Sequence, residues 1–588
     1  MSDTPCIDEV ITAAAGEETP VVRNLNQLWL SCVLDELEAV GVRRVVLCPG
    51  ARSAAMALAV RERPSFVDVV VSADERSGAY TALGMIKATG EPAMVVTTSG
   101  SAVANLVPAL TEADECGLPL VLVTCDRPRS LRGSGFGQMI DHVGACAAFV
   151  RAAVDLPDPL DSADAFTALR TRVAAVLAER DGPRPGPVQI NLPFAGRYDS
   201  TEPCAISPTA LREARRPAFF HPPIARRPND IDALVGELHL RPGLRGLIIA
   251  GPECGIAPDV LARFAKRTGF PVLADAASGL RAGGNDAVLS GYDALQVKRL
   301  RPVASPELIV RFGFAPVMPL VQDYLLEHPC PTLRVSRTPL ARDYLHETFT
   351  PLVAPSADEL DALATVLAPG DEQWLAAWRG AARTVSRQRR AVLDMLPWGE
   401  LPAAHEIFAH EGFDFIHFGN SMPIRHADLF YENRGELKPT FSNRGVWGID
   451  GTLGTFLGEA VATRQRGMLV LGDLAFLHDL PALANLQRHP RAACICVVNN
   501  AGGAIFDFLP LASQPDYETA IRNPYQCDVG LVAAAFGLRY ARAVNRQTLR
   551  AALDGAAACE GVTIVEAVVA PGSAYDGLHC LGAMLECL

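Results

Sequence analysis

The chain has 588 residues, 49% of them hydrophobic and 20% charged, with a formal net charge of −13 at pH 7. That length holds three or four domains with substantial cores, and the acidic balance speaks against nucleic acid as a partner. An anionic ligand would need a local cluster of arginines to overcome the background potential. The 15 cysteines are odd in number, scattered and never spaced as CxxC. This argues against a disulfide framework and a zinc site and leaves most of them as buried small apolar residues. Met1 to Pro20 is acidic and Ala-rich, unlike a signal peptide. No apolar run reaches the roughly 20 residues of a membrane span. A reducing, cytoplasmic setting is expected.

The first third alternates short β-branched runs with helical stretches. Arg43–Cys48, Phe66–Ser72, Ala93–Thr98 and Leu118–Thr124 read as strands, and Val188–Phe194 closes the unit. Near-continuous apolar strands between helices belong to a parallel sheet covered on both faces. Arg212 to Pro228, rich in Pro and Arg, reads as a linker. Beyond it Arg245–Ala250 runs into the segment GPECGIAP, followed by strands at Phe270–Ala274 and Pro302–Phe312. That glycine-bearing turn could hold a phosphate or simply turn the chain. A polar helical stretch, Asp371 to Arg390, leads to a third unit with strands at Phe413–Phe418, Gly467–Leu471, Ala492–Val498 and Val562–Val569. The pattern predicts an α/β protein of three doubly wound parallel-sheet domains in series, bounded near 1–205, 206–385 and 386–588.

The sharpest local signal lies in the third unit. One strand ends at Gly472-Asp473, the next at Asn499-Asn500, and Ala501-Gly502-Gly503 follows. Strand ends of an open α/β sheet are where ligands sit. Asp473 and Asn500 offer side-chain oxygens there, and the Gly502 carbonyl offers a third. Such a set suits octahedral magnesium, which prefers hard oxygen and borrows phosphate ligands, while the glycines let backbone approach phosphates closely. Two ordinary strand-end turns would look similar. The separation of 25 residues between Asp473 and Asn499 resembles the diphosphate-binding motif of thiamine-diphosphate enzymes. That resemblance implies a glutamate in the N-terminal domain that hydrogen-bonds a pyrimidine nitrogen and promotes proton loss from the thiazolium C2. Glu75, which follows the Phe66–Ser72 strand and opens a helix, occupies that position, although a lone Glu there also reads as a helix-start charge. It further implies that each site is shared between two subunits, hence a homodimer or a dimer of dimers.

Several runs are more specific. They are Cys48–Ser53, Asp74–Arg76, Thr98–Leu106, Asp126–Pro128, Gly419–Arg425 (GNSMPIR), Ser442–Gly451 (SNRGVWGIDG) and Asn499–Phe506. In these the chain resembles the 2-succinyl-5-enolpyruvyl-6-hydroxy-3-cyclohexene-1-carboxylate synthase family of menaquinone biosynthesis. The resemblance is good in the first and last domains and weak in the middle. It implies decarboxylation of 2-oxoglutarate on thiamine diphosphate, with Mg²⁺ or Mn²⁺, and conjugate addition of the resulting carbanion to isochorismate. Both substrates carry carboxylates, which bidentate arginine suits. By motif, Ser421, Arg425 and Arg444 would hold the distal carboxylate from oxoglutarate, and Arg52, Arg127 and Gln138 would face isochorismate. Ile449 would wedge the cofactor into its bent form, and Ile505, Phe506 and Leu509 would form an apolar wall. Gly100 joins Glu75, Ile449, Asp473, Asn500, Gly502 and Ile505 as cofactor-binding positions.

The chain departs from the family pattern at three positions. Ala51 replaces a serine, Gly137 stands where asparagine is common, and Met318 falls where a basic residue is usual. All three lie on the acceptor side. A related thiamine-diphosphate carboligase or decarboxylase with another acceptor is therefore the alternative. The GNSMPIR and SNRG runs point away from a flavin-dependent, acetolactate-synthase-like enzyme, and Glu75, Asp473 and Asn500 point away from a non-catalytic ligand sensor.

Overall fold

The computed structural model describes residues 21–22, 25–193, 204–219, 228–281, 284–290, 295, 301–302, 304–337, 344–345, 348–432, 437–488, 493–524 and 527–587. Met1 to Pro20, Phe194, Ala492 and residues 220–227 of the expected linker lie outside them. The chain forms two compact units. The first comprises Met1–Ala225, Leu453–Thr463 and Pro481–Asn485, and the second Arg226–Thr452, Arg464–Leu480 and Leu486–Leu588.

The first unit is built on a six-stranded sheet in the order Asp68–Val71, Arg44–Leu47, Ala93–Thr97, Leu120–Asp126, Val188–Pro193, Ala152–Asp155. Every neighbouring pair is parallel. Three of the interior strands are buried along their whole length, and the polar side chains among them, Thr124, Gln189 and Asn191, are hydrogen-bonded to one another. Helix Glu75–Thr89 starts on Asp74, whose side chain accepts from the Ser77 N–H, and stops at Gly90 in the left-handed region. Its Gly84 meets the helix Thr452–Thr463 so closely that an added Cβ would lie 1.9 Å from the Thr455 carbonyl oxygen. Gly458 answers from the other side, 2.0 Å from the Thr81 oxygen.

The second unit carries two more six-stranded parallel sheets. One runs Val288–Leu289, Val272–Ala274, Gly246–Ala250, Leu308–Phe312, Thr332–Ser336, Thr350–Val353. The other runs Thr440–Phe441, Phe415–Phe418, Gly467–Gly472, Ala493–Asn499, Val562–Val568, Arg539–Ala543. Three parallel α/β sheets are thus present, as the alternation in the sequence predicts. Counted in chain order within each sheet, the first and last share the arrangement 2-1-3-4-6-5, whereas the middle one is 3-2-1-4-5-6. Such orders place the ligand crevice between the strands where the winding reverses.

One reading is corrected, and of two left open one is favoured. The segment read as a linker begins inside a helix, Pro208–Ala214, which Ser207 caps and which buries Ala210, Leu211 and Ala214. Serine followed by proline at the first helical position is itself a start signal. The glycine-bearing turn after Gly246–Ala250 is structural. A Cβ on Gly251 would lie 2.0 Å from the Phe314 oxygen, and the Phe314 N–H donates to the Pro252 oxygen at 2.8 Å. The two lips of the middle sheet's reversal point are bonded to each other. The bridging helix is longer than expected, Glu372–Met395, with Asp371 as its cap. All described cysteines are free, and Cys580 and Cys587 on the last helix are exposed. No described helix is long and apolar enough to cross a membrane.

Candidate active site

In the last sheet the winding reverses between Phe415–Phe418 and Gly467–Gly472. Parallel register carries Gly419–Ser421, Gly472-Asp473 and Asn499-Asn500 to the same edge, because Phe418 pairs with Val470 and Gly472 with Val498. Asp473 is 7% exposed. Its Oδ1 accepts from the Leu474 N–H at 2.8 Å and its Oδ2 from the Gly502 N–H at 2.9 Å. Burial pushes its carboxyl up to about 6 against the pull of these amides. Gly502 has φ of 137°, and a Cβ there would lie 2.9 Å from the Arg522 oxygen. The Asn500 Nδ2 donates to Glu400 Oε2 at 2.9 Å, while its Oδ1 is buried with no hydrogen-bond partner. Arg522 holds the turn from below, donating to the Asn500 carbonyl at 3.3 Å and accepting the Gly503 N–H at 2.8 Å. The Asp473 carboxylate, the orphaned Asn500 amide oxygen and the Gly502 backbone carbonyl are hard oxygen donors, a set whose chemistry suits magnesium.

At the neighbouring strand end Ser421 has φ of 71° and caps the helix Met422–Phe430. Arg425, one turn into that helix, donates to the Ser421 carbonyl at 2.6 Å. Burial lowers its guanidinium from the ordinary range, opposed by Asp428. Arg444 is 2% exposed; it donates to Asn420 Oδ1 at 2.9 Å and stacks on Trp447 at 4.2 Å. Asn420 in turn donates to the Asn443 and Gly448 carbonyls, both at 2.7 Å. The GNSMPIR and SNRG runs are therefore bonded into one assembly. Ile449 follows them, half-buried, its carbonyl accepting from Thr452 Oγ1 at 3.1 Å. Ile505 packs against the core of this sheet, whereas Phe506 and Leu509 are 37% and 42% exposed. Leu509 lines a cavity of about 690 Å³ together with Tyr517, Arg522 and Tyr575.

In the first unit the winding reverses between Arg44–Leu47 and Ala93–Thr97. Their ends meet: the Arg52 N–H donates to Thr98 Oγ1 at 3.3 Å, and Gly50 rests so closely on Thr98 that a Cβ would lie 2.4 Å from its own. Glu75 opens its helix half-buried, and its Oε2 accepts from Asn105 Nδ2 at 3.2 Å. Gly100 has φ of 84°, and its N–H donates to His142 Nε2 at 3.2 Å. Gln138 donates to the Ser99 carbonyl at 3.1 Å, accepts from Arg127 Nη2 at 3.3 Å, and lies over Gly100. Arg127 also stacks over Phe136 at 4.8 Å. Glu75, Gly100, Arg52, Arg127 and Gln138 thus belong to loops on one edge of this sheet.

Family models of the thiamine pyrophosphate enzymes match both of these regions. The N-terminal TPP binding domain covers residues 31–145 and the C-terminal TPP binding domain residues 432–567. Curated relatives named 2-succinyl-5-enolpyruvyl-6-hydroxy-3-cyclohexene-1-carboxylate synthase match almost the whole chain. The one from Chloroflexus aurantiacus is 37% identical over 546 residues, covering 90% of this chain and 91% of the relative. Those from Halobacterium salinarum and Roseiflexus sp. are 34% and 33% identical, each covering 92% of this chain and 95% of the relative. The chain belongs to this synthase family.

As a member of the synthase family it is a thiamine-diphosphate-dependent enzyme. The three departures from the family pattern have distinct settings. Ala51 is exposed. A Cβ on Gly137 would meet nothing within 4 Å, so packing does not demand glycine there. Met318 precedes the helix Pro319–Glu327 and packs against an apolar cluster that includes Val321, Tyr324 and Trp374. Four residues that hold the site, Glu400, Asn420, His142 and Arg522, were not singled out by sequence. Asn420 lies inside a quoted run; the other three lie outside every motif.

Proposed function

We propose that the enzyme decarboxylates 2-oxoglutarate and adds the remaining four-carbon unit to isochorismate by conjugate addition, giving 2-succinyl-5-enolpyruvyl-6-hydroxy-3-cyclohexene-1-carboxylate for menaquinone biosynthesis. The observation that carries the reading is the strand-end assembly of the last sheet, where oxygen donors suited to a metal diphosphate adjoin an arginine cluster suited to a dicarboxylate. Thiamine diphosphate supplies the electron sink for loss of CO₂ and the carbon nucleophile. Asp473, Asn500 and the Gly502 carbonyl would hold Mg²⁺, or Mn²⁺ in its place, against the diphosphate. Glu75 would hydrogen-bond a pyrimidine ring nitrogen and favour the imino form of the ring, and Gly100 and Ile505 would line the ring sites, with Ile449 wedging the bend. Ser421, Arg425 and Arg444 would orient the distal carboxylate. Arg425 suits that role because its desolvated guanidinium gains most from a charged partner. Arg52, Arg127 and Gln138 would receive isochorismate, and Phe506 and Leu509 would exclude water from it.

We also propose domain bounds near 1–205, 206–385 and 386–588, a cytoplasmic homodimer or dimer of dimers, and sites shared between subunits. The test is a coupled assay with thiamine diphosphate, Mg²⁺, 2-oxoglutarate and isochorismate, following isochorismate absorbance and CO₂. Equimolar loss of both substrates is expected. Release of CO₂ with isochorismate untouched would overturn the acceptor and favour a second reading, a carboligase for another acceptor. The apolar setting of Met318 favours that reading.

A further inference from the structure

Glu400 is the first residue of the helix Glu400–Ala409 and is 1% exposed. Its position is fixed through its own backbone, whose N–H donates to Ser573 Oγ at 3.1 Å. One carboxyl oxygen, Oε2, accepts from Asn500 Nδ2 at 2.9 Å. The other, Oε1, lies 3.6 Å from His426 Nδ1, and burial, reinforced by Arg425, keeps that imidazole neutral by lowering it to about 3. A buried carboxylate with so few donors stores a large desolvation cost unless it serves a purpose. Its one strong partner is the side chain whose far end is an orphaned oxygen.

A carboxamide is planar, with its donor and acceptor ends on opposite sides. Burial raises the Glu400 carboxyl and its hydrogen bond from Asn500 opposes that rise; in the ionised form a carboxylate can only accept. Beside Glu400, the amide of Asn500 is therefore held with Nδ2 inward and Oδ1 turned away. The flipped amide would set oxygen against oxygen in a buried site and leave the amide N–H without that acceptor. A divalent ion at Oδ1 would itself favour the ionised form of Glu400, so metal and carboxylate act on the amide in the same sense. Arg522, which donates to the Asn500 carbonyl, fixes the backbone but cannot choose between the two ends of the side chain.

We propose that Glu400 is a positioning residue for the metal: by accepting from Asn500 Nδ2 it presents Oδ1 as a preset ligand. This rests on the reading of Asp473, Asn500 and Gly502 as the metal-binding set. Partners of this kind typically change metal affinity by about 10–100-fold when removed.

The test is a titration of the full-length protein with Mn²⁺ at saturating thiamine diphosphate, following free Mn²⁺ by electron paramagnetic resonance. Fold integrity is checked by thermal unfolding. Asn500→Ala should bind Mn²⁺ much more weakly; unchanged binding would overturn the ligand assignment itself. Glu400→Gln, whose amide can either donate or accept, should weaken binding about tenfold, the lower end of that range. Glu400→Asp, which keeps the charge but falls short by one methylene, should do the same. Binding as in the unaltered protein in both variants would overturn the positioning role and leave the ligand assignment intact. The same Glu400→Gln change is then made with Asn500→Asp, whose two ends are both oxygen and need no orientation. The loss should vanish there. An equal loss in both backgrounds would mean that Glu400 acts by charge alone, which also overturns the proposal.

Discussion

Replacing Glu75 by Gln separates proton handling from binding. The exchange is nearly isosteric, and the half-buried side chain accepts a hydrogen bond from Asn105 Nδ2 at 3.2 Å. A glutamine carbonyl can accept the same bond. The helix start survives because Asp74, not Glu75, caps it, and losing one charge in the first turn costs about 0.3–1 kcal/mol. What the variant loses is acid–base function, typically worth 10²–10⁴ in rate, or roughly 2.7–5.5 kcal/mol of activation free energy. Thiamine diphosphate binding by calorimetry should therefore stay close to that of the unaltered enzyme, while CO₂ release from 2-oxoglutarate falls by two to four orders of magnitude. Asn105→Ala, which frees the carboxylate without removing it, should cost much less. Turnover of the Gln variant within a few fold of the parent would refute the reasoning and leave Glu75 as a helix-start charge.

Arg425→Ala should raise KM for 2-oxoglutarate by roughly ten- to a hundredfold, the equivalent of one or two charge-assisted bonds, with little change in KM for the acceptor. An equal rise in both constants would place Arg425 outside the oxoglutarate subsite. Gly84→Ala should lower the melting temperature, since its Cβ would lie 1.9 Å from a backbone oxygen; forced overpacking costs about 1–3 kcal/mol, more than the gain of roughly 0.8–1 kcal/mol in helix propensity. Gly137→Asn should leave the melting temperature unchanged, because nothing lies within 4 Å of the added Cβ. If isochorismate is the acceptor, its KM should also fall in that variant, by up to about tenfold for one new hydrogen bond; a rise would mean that the glycine belongs to a differently shaped acceptor site.

Several of the strands foreseen from sequence are buried on both faces. Ala93–Thr97 and Ala493–Asn499 are apolar nearly throughout because almost no position on them meets water. Two of the strands not foreseen are sheet edges. Arg539–Ala543 has only Ala543 buried, and its arginines and tyrosine blur any period. Thr440–Phe441 spans two residues. The site divides in the same way. That Asp473, Asn500 and Gly502 meet at one sheet edge was legible because the apolar runs before them stop at polar and glycine residues. Glu400 was not, because a glutamate at a helix start is unremarkable until the fold brings it against Asn500, 100 positions along the chain. His142 was hidden for a similar reason. Its ring nitrogen meets the Gly100 N–H across 42 positions, and no local pattern records that meeting.

The three sheets are not equivalent, and the difference argues for where chemistry occurs. In the first and last sheets the chain reverses between its first and third strands. Their lips carry a glycine with positive φ and a polar side chain: Gly100 with Gln138, and Gly502 with Asn500. The middle sheet reverses between its first and fourth strands, an arrangement equally able to open a crevice. There the lips are drawn together by the Phe314–Pro252 bond, and Gly251 and Gly313 serve only to let backbone meet backbone. The middle sheet's lips are bonded backbone to backbone, whereas the lips of the outer two carry the polar side chains of Gln138 and Asn500. The middle sheet contributes packing, anchoring the helix that bears Arg425 through the buried Arg281–Asp428 pair.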